Sequence, residues 1–329
     1  MSEQAGRGSN GRPDVALVAT RTVGAERVED QSLEELTFQA SAGALLDAGL
    51  TASSVGSVVL FGQDQMNGRV ISCMVAAGPA GGVDRDVTMI ASSGEHALIY
   101  AYLRLLAGQG DSVLVVAWDK PSEGLHPDHA ELVHAEPYLL RRLGMNNAVA
   151  AALQASRLGH VPDGGAVETW PLTTADLPAT YDSVHAAVLR RQGTFDPGSE
   201  IAWIRGVGWA MDVYDLGGRD PAELASLEAV VGQLDRQGAP LPVAWERVEI
   251  AAPSEPLVGR IASRLGVPAT CAVNPSASTS TLEASALTAG FARMITAAQA
   301  SDDGAAVTAG VGMQGFAGQG VAAMVFGKE

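Results

Sequence analysis

The chain has 329 residues, of which 47% are hydrophobic and only 5% aromatic, so its core must be built mainly from Ala, Val, Leu and Gly. The formal net charge of -16 opposes binding to nucleic acid or to an anionic membrane surface, because both need a positively charged face. The two cysteines, Cys73 and Cys271, lie far apart in apolar or small-residue runs, which argues against a disulfide framework and favours buried thiols.

The N-terminal segment and the histidines carry little chemistry. Residues 1–12 are rich in Gly, Ser and Asn and lack the apolar stretch of a signal peptide or anchor, so we expect a disordered lead and a cytoplasmic protein. His126 and His129 are three residues apart with a proline between them, which favours a solvated loop over a metal site. His185 alternates with apolar residues in a predicted strand, so we expect a buried structural histidine.

Predicted helices and strands alternate along the first part of the chain, which favours an α/β layered domain. The predicted strands cover residues 14–20, 55–61, 111–118 and 181–189, and the predicted helices cover residues 32–48, 94–107 and 143–158. Ser32 and Glu35 have the spacing of a capping box, so the first helix should begin at that point.

The same order of elements recurs about 190 residues later, which indicates a duplication. The later helices are predicted at residues 223–238 and 285–298, and the later strands at residues 245–250 and 305–309. We therefore divide the chain into an N-terminal half over residues 13–198 and a C-terminal half over residues 199–329. A loop region over about 121–170 belongs to the first half.

A series of short motifs, in this order, resembles the thiolase superfamily over residues 14–327. The motifs are Gly-Arg-Val with Arg69, Ala-Ser-Ser-Gly at 91–94 before a helix, Tyr-Asp-Ser-Val-His-Ala-Ala at 181–187, Val-Asn-Pro-Ser at 273–276, and a closing glycine-rich turn at 310–313. The resemblance implies a duplicated αβαβα layered fold, with two pseudo-two-fold-related halves that each contain a mixed five-stranded sheet.

The chain departs from the thiolase pattern at the positions where the resemblance implies catalytic residues. Ala91 stands at the position of the nucleophilic cysteine, whose thiolate attacks the thioester. Ala251, Ala284 and Thr308 stand at the positions of the asparagine, the histidine and the second cysteine. The resemblance therefore implies a vestigial site.

Four polar residues near these positions are weak catalytic candidates: Ser92, Ser93, Glu249 and Glu283. A serine nucleophile needs an adjacent base. We expect His96 to point away from the loop, so that Ser92 or Ser93 serves only as a helix N-cap. A solvated or hydrogen-bonded structural role is expected for the two glutamates, rather than acid–base work.

Five further residues are expected to line a residual ligand site at the ends of two helices: Gly94, Asn274, Ser276, Gly310 and Gly312. No resident cofactor is expected. An acyl-CoA thioester is the ligand that the resemblance implies, although the short central loop argues against a coenzyme A clamp.

Three functions remain open from the sequence. The first is a catalytically degenerate subunit that forms a homo- or heterodimer with a thiolase-fold chain, with an OB-fold, zinc-ribbon protein as a further partner. The second is an aldolase-like lyase that cleaves a β-hydroxyacyl-CoA with a Tyr, Asp or Glu; the tyrosines nearest to the motifs are Tyr100, Tyr102 and Tyr181. The third is an acyltransferase that uses Ser92 or Cys271. A perturbed carboxylate facing an open pocket would favour the lyase, and a filled pocket would favour the subunit.

Overall fold

A computed structural model describes residues 14–64, 72–124, 132 and 135–328. The N-terminal lead, Arg69, His126 and His129 lie outside the described residues.

Helices and strands alternate as the sequence predicts. The strands are β1 Val15–Ala25, β2 Ser57–Phe61, β3 Asp86–Ile90, β4 Ser112–Asp119, β5 Val167–Thr169, β6 Leu172–Thr173, β7 Asp182–Arg191, β8 Ala202–Met211, β9 Arg247–Ala251, β10 Ala272–Val273, β11 Val307–Gln314 and β12 Gly320–Gly327. The α-helices are α1 Leu33–Asp47, α2 Ser72–Ala77, α3 Gly94–Leu106, α4 Asn147–Arg157, α5 Ser226–Gln237, α6 Glu255–Leu265 and α7 Ala289–Asp302.

The strand order is symmetric about its centre, which confirms the predicted duplication. It runs β10-β9-β11-β12-β8-β1-β7-β4-β2-β3, so each half contributes five strands in mirrored succession. Within each half, the two strand pairs nearest the outer edge are parallel and the two nearest the centre are antiparallel. The halves are joined through two residue pairs between β1 and β8, Ala16 with Trp203 and Leu17 with Ala202.

Side chains alternate between the two faces of each strand. They form three apolar cores, which hold together five layers of helices and sheets. In β4, Val115 packs into the central core beside α3 and α7, whereas its neighbour Val116 packs into an outer core beside α1. The second outer core lies between the C-terminal half-sheet and helices α5 and α6. The predicted αβαβα arrangement is therefore confirmed.

Helix α1 shows how local sequence sets an element boundary. The Ser32 hydroxyl accepts a hydrogen bond from the Glu35 backbone N–H at 3.2 Å, and the Glu35 carboxylate accepts one from the Ser32 backbone N–H at 2.8 Å. The predicted capping box is confirmed, and the helix begins at the next residue, Leu33.

The sequence predicts a glycine-rich turn at 310–313, and this prediction is wrong. These residues form the interior of strand β11. A methyl group at Gly310 would lie 2.5 Å from the Cα of Met294, so the glycine allows α7 to pack closely on the strand. The turn follows at residues 315–319, and β11 consequently extends as far as Gln314.

Among the described residues, no helix is both long enough and apolar enough to cross a membrane.

Candidate functional site

The loop at the N-terminus of α3 lies where the resemblance to thiolases predicts a nucleophile. Residues 91–93 connect the end of β3 directly to α3. Ser93 is the N-cap, because its hydroxyl accepts a hydrogen bond from the backbone N–H of His96 at 3.3 Å. Ala91 and Ser92 are exposed, whereas Ser93 and Gly94 are buried. The exposed end of the loop therefore presents a methyl group and a hydroxyl.

The prediction that His96 points away from this loop is wrong. The Ser92 Oγ and the His96 Nδ1 are 2.9 Å apart, while Ser93 alone forms the helix cap. Residue 92 precedes the cap and residue 96 lies in the first turn, so the imidazole reaches back over the helix end. Burial lowers the pKa of His96 below its ordinary value, which favours the neutral imidazole.

Gln314, at the end of β11, completes this group from the other half of the molecule. Its side-chain Nε2 lies 2.9 Å from the His96 Nδ1 and 3.4 Å from the His96 Nε2. This contact could not be predicted from the sequence, because 218 residues separate the two side chains. The strand extension described above is what brings Gln314 to the end of α3.

A buried carboxylate, Glu95, lies in the same first turn and was not among the predicted site residues. Its side chain is 3% exposed and packs against Gly290 of α7 and Gly312 of β11, where a methyl group at either position would overlap the carboxylate. We call the residues around this helix end the central site. They are Ala91, Ser92, Glu95, His96, Gly290, Gly312 and Gln314.

The electrostatic state of Glu95 follows from its burial. Desolvation raises its pKa, and bonds to its own backbone N–H and to the Ser93 hydroxyl offset only part of this rise. Its Oε2 has no protein hydrogen-bond partner within the described residues. The two glycines facing it were the only signal in the sequence, since glycine inside a helix or strand marks a close approach.

The three positions of the predicted vestigial site other than Ala91 do not all lie together. Ala251 pairs with Gly312 across the sheet, so it adjoins the central site. Ala284 is buried next to Ser285, just before α7. Thr308 lies at the opposite end of β11 from Gln314, and its buried hydroxyl donates to the Ala297 carbonyl at 2.6 Å. Thr308 therefore has a structural role away from this site.

Glu249 is the centre of a buried ion-pair network rather than a free carboxylate. Arg293 donates to its Oε2 at 2.7 Å, and Arg247 donates to its Oε1 at 2.8 Å. The Ser276 hydroxyl also donates to Oε2, at 2.8 Å. These bonds fix α7 and the loop after β10 to strand β9. The predicted site residues Glu249 and Ser276 therefore both have partners within the protein.

The other residues predicted to line a ligand site also contact protein. Asn274 uses its amide on the backbone of Ile250, accepting from the N–H at 2.6 Å and donating to the carbonyl at 3.0 Å. A methyl group at Gly94 would lie 2.9 Å from the Phe291 Cβ and 3.3 Å from the Ala117 Cβ. Gly94 and Gly310 therefore allow helices to approach closely, and Asn274 supports the end of β9.

The remaining sequence candidates lie outside the central site. Glu283 is exposed. Burial, with the charges of Glu283 and Glu26, raises the pKa of Tyr181. Tyr100 and Tyr102 pack against the central core along α3. Cys271 is buried in the outer core of the second half, and burial raises the pKa of its thiol, which opposes a nucleophilic role.

A chain of buried polar groups adjoins Ala284. The Ser285 hydroxyl bonds to the carboxylate of Asp119, at the end of β4, and burial raises the pKa of Asp119 to about 7. Thr288 links Ser285 to Ser183 through hydroxyl contacts of 3.4 and 3.1 Å. His185 lies 3.1 Å from Ser183, and burial lowers its pKa to about 4, so it is the buried structural histidine that the sequence predicts.

Two cavities lie elsewhere on the surface. One of about 480 Å³ is lined by residues that include Val28, Ser32 and Lys120, and one of about 430 Å³ lies against Phe38 and Pro79. Neither includes a residue of the central site. Across the described part of the chain, no group of three or more His, Cys, Asp or Glu is arranged to hold a metal ion.

Comparison with solved structures identifies the fold. The human mitochondrial 3-ketoacyl-CoA thiolase in complex with CoA matches with a TM-score of 0.73 at 12% identity, covering 97% of this chain and 98% of that chain. A second structure of the human mitochondrial 3-ketoacyl-CoA thiolase matches with a TM-score of 0.73 at 14% identity, covering 96% of this chain and 99% of that chain. No family model and no curated protein sequence matches. The chain therefore has the thiolase fold, as its motifs predicted.

Proposed function

We propose that this chain is a catalytically degenerate thiolase-fold subunit of a cytoplasmic complex. It pairs with a cysteine-bearing thiolase-fold chain that acts in acyl-CoA or polyketide-type carbon–carbon bond metabolism, and an OB-fold, zinc-ribbon protein is a further candidate partner. The observation that carries this proposal is Ala91 at the N-terminus of α3, since a methyl group cannot attack a thioester.

The packing of the central site supports the same proposal. The Glu95 carboxyl group occupies the space between Gly290 and Gly312, and Ala251, which pairs with Gly312, adds no polar group there. A thiolase reaction needs a thiolate and donors that stabilise a developing oxyanion. Ala91 supplies no thiolate, and neither Ala251 nor Ala284 supplies a side-chain donor.

The position of β3 supports pairing through the sheet edge. β3 is the last strand of the described sheet on the N-terminal side, and its residues are exposed or half-buried. An open strand edge is a template for pairing with another chain. Because α3 follows β3 directly, a partner at this edge would contact the loop at 91–93.

Purification of the tagged chain from its native host tests the proposal. We expect a stoichiometric thiolase-fold partner with a cysteine at the start of the helix that corresponds to α3. The chain alone should not catalyse CoA-dependent cleavage of a 3-ketoacyl-CoA, and Ala91→Cys alone should not create this activity. Recovery of a homodimer that cleaves 3-ketoacyl-CoA at enzyme-like rates would overturn the proposal.

Glu95 supports a second candidate function, an aldolase-like lyase that acts on a β-hydroxyacyl-CoA. Such cleavage needs a base that removes the proton of the β-hydroxyl, and a carboxylate with a raised pKa suits that step. Under this alternative, Glu95→Gln should reduce cleavage by roughly 100-fold or more, whereas Glu283→Gln, an exposed control, should not. Absence of cleavage by the wild-type chain, alone and with its partner, would exclude this candidate.

A further inference from the structure

We infer that Ser92 is a nucleophile that accepts an acyl group from an activated ester or thioester, with His96 as its general base and Gln314 as a positioning residue. This inference goes beyond the proposed function, because it gives the chain a covalent step of its own that needs neither a cysteine nor a partner.

Ser92 is accessible to solvent and lies within hydrogen-bonding distance of a base. Ser92 is exposed, so a carbonyl carbon can approach its hydroxyl from solvent. The distance of 2.9 Å between Ser92 Oγ and His96 Nδ1 is that of a nucleophile and its base in a productive pair. Helix capping does not require this contact, since Ser93 already provides the cap.

Gln314 holds the imidazole of His96 in place from the other half of the molecule. Its side-chain Nε2 lies 2.9 Å from Nδ1 and 3.4 Å from Nε2 of His96, so it contacts the edge of the ring that holds both nitrogens. Nδ1 is also the nitrogen that faces Ser92, and burial keeps the ring neutral at physiological pH. The orientation of the ring therefore suits proton removal from Ser92.

Acylation of Ser92 and release of the acyl group need only water as a co-reactant. As Ser92 Oγ bonds to the acyl carbonyl carbon, its proton passes to His96 Nδ1. The bond from the carbonyl carbon to the leaving sulfur or oxygen breaks, and His96 returns the proton to that leaving group. Water then attacks the acyl-serine with the same proton transfers, which releases a carboxylic acid and restores Ser92. The positive end of the α3 dipole favours the negative charge that develops beside it.

Acylation with p-nitrophenyl butyrate tests the inference. We expect a burst of about one equivalent of p-nitrophenolate per chain and the mass of one butyryl group on the peptide that contains Ser92. Ser92→Ala should abolish the adduct, and His96→Gln should slow its formation by roughly 100-fold or more. Ser199→Ala, at another exposed serine, should react as the wild type does.

Circular dichroism and thermal unfolding of each variant separate loss of reaction from loss of fold. A folded Ser93→Ala variant provides a second control. It weakens the cap of α3 but keeps Ser92, so it should still form the adduct. The inference is overturned by a wild-type chain that forms no adduct, by an adduct on Cys73 or another residue, or by a Ser92→Ala variant that reacts at the wild-type rate. The 3-ketoacyl-CoA cleavage assay reports separately on the proposed function.

The pH profile distinguishes a positioning role of Gln314 from a merely structural one. In the wild type, acylation should rise with pH through an inflection below the ordinary pKa of histidine, since His96 must be neutral to act as a base. Gln314→Glu places a carboxylate beside the imidazole and should raise the His96 pKa, which moves the inflection to higher pH. An inflection that stays at the same pH would show that Gln314 does not act on the base.

Discussion

At the scale of single residues, the central site depends on two glycines that make room for one carboxylate. Gly312→Ala should destabilise the protein by about 1–3 kcal/mol, because the added methyl overlaps the Glu95 carboxylate, which is confined on its other side by Gly290. In a Glu95→Ala background the same substitution should cost much less. Denaturant unfolding of the four proteins gives the coupling energy directly.

Gly310→Ala is the matched control for this cycle. Its methyl would meet the backbone of Met294 at 2.5 Å rather than Glu95, so its cost should be the same in both backgrounds. Equal costs of Gly312→Ala with and without Glu95 would contradict the packing of the central site described here.

Asp119 makes a second residue-scale prediction, for the pH dependence of stability. Its pKa is about 7 in the folded protein and near 3.8 when unfolded, so the folded state holds the proton more tightly. Its contribution is therefore fully present below about pH 4 and is lost as the pH rises through 7. Asp119→Asn should remove a downward slope of up to about 1.4 kcal/mol per pH unit within that window.

Unfolding by urea at pH 4, 5.5, 7 and 8.5 would measure this slope. The difference in free energy of unfolding between Asp119→Asn and the wild type should move in favour of the variant from pH 4 to pH 7 and stay constant above it. A difference that is independent of pH would mean that Asp119 is not desolvated in the folded protein.

At the scale of elements, the Arg293–Glu249 pair links helix α7 to strand β9. Arg293 also donates to the carbonyls of Ala277 and Ser278, at 2.9 and 3.2 Å, so one guanidinium holds three segments together. Arg293→Met should cost about 3–5 kcal/mol, because it leaves the buried Glu249 charge with less compensation. Thermal and urea unfolding would measure the loss.

Arg264→Met is the comparison for this prediction. Arg264 pairs with Glu228 at 2.7 Å, but the glutamate side chain is 68% exposed. Exposed ion pairs contribute about 0–1 kcal/mol, so this variant should lose little stability. A similar loss in the two variants would contradict the assignment of Arg293 to a buried, stability-determining network.

Elements with an uninterrupted local signal could be predicted, and elements shaped by neighbours could not. Helices α1 and α3 have capping serines and regular apolar spacing, and both begin where the sequence indicates. Strand β8 was not predicted because it contains Gly206 and Gly208, and glycine weakens a strand signal. Glycine allows close packing at both positions: Ala239, just after α5, lies against Gly206, and Val230 of α5 lies against Gly208.

The same distinction applies to the site. The alanine at position 91 is visible in the sequence because it lies in a motif next to a helix start. The contacts of His96 with Gln314 and of Glu95 with Gly312 join elements from different halves, so only the fold reveals them. Thr308 was assigned to the site because the glycine-rich segment after it resembled a turn, whereas that segment continues as strand.

At the scale of the whole molecule, the two halves share one core. Residues of α3 and α7 pack between both half-sheets, and Leu98 and Phe291 belong to the same apolar cluster as Val115 and Met324. The direct strand contact between the halves is only two residue pairs long. The central layer, rather than the continuous sheet, must therefore supply most of the stabilisation between the halves.

Because the two halves share this layer, we predict that the boundary between residues 198 and 199 does not separate independent folding units. Residues 199–329 alone would expose the face of α7 that is buried in the whole chain, including Phe291 and Met294. We expect this fragment to show no cooperative thermal transition, and the whole chain to unfold in one transition. Co-expression of residues 1–198 with residues 199–329 should restore a cooperative complex. A fragment that unfolds cooperatively by itself would instead mean that each half has a sufficient core, and that the central layer is an interface between two domains.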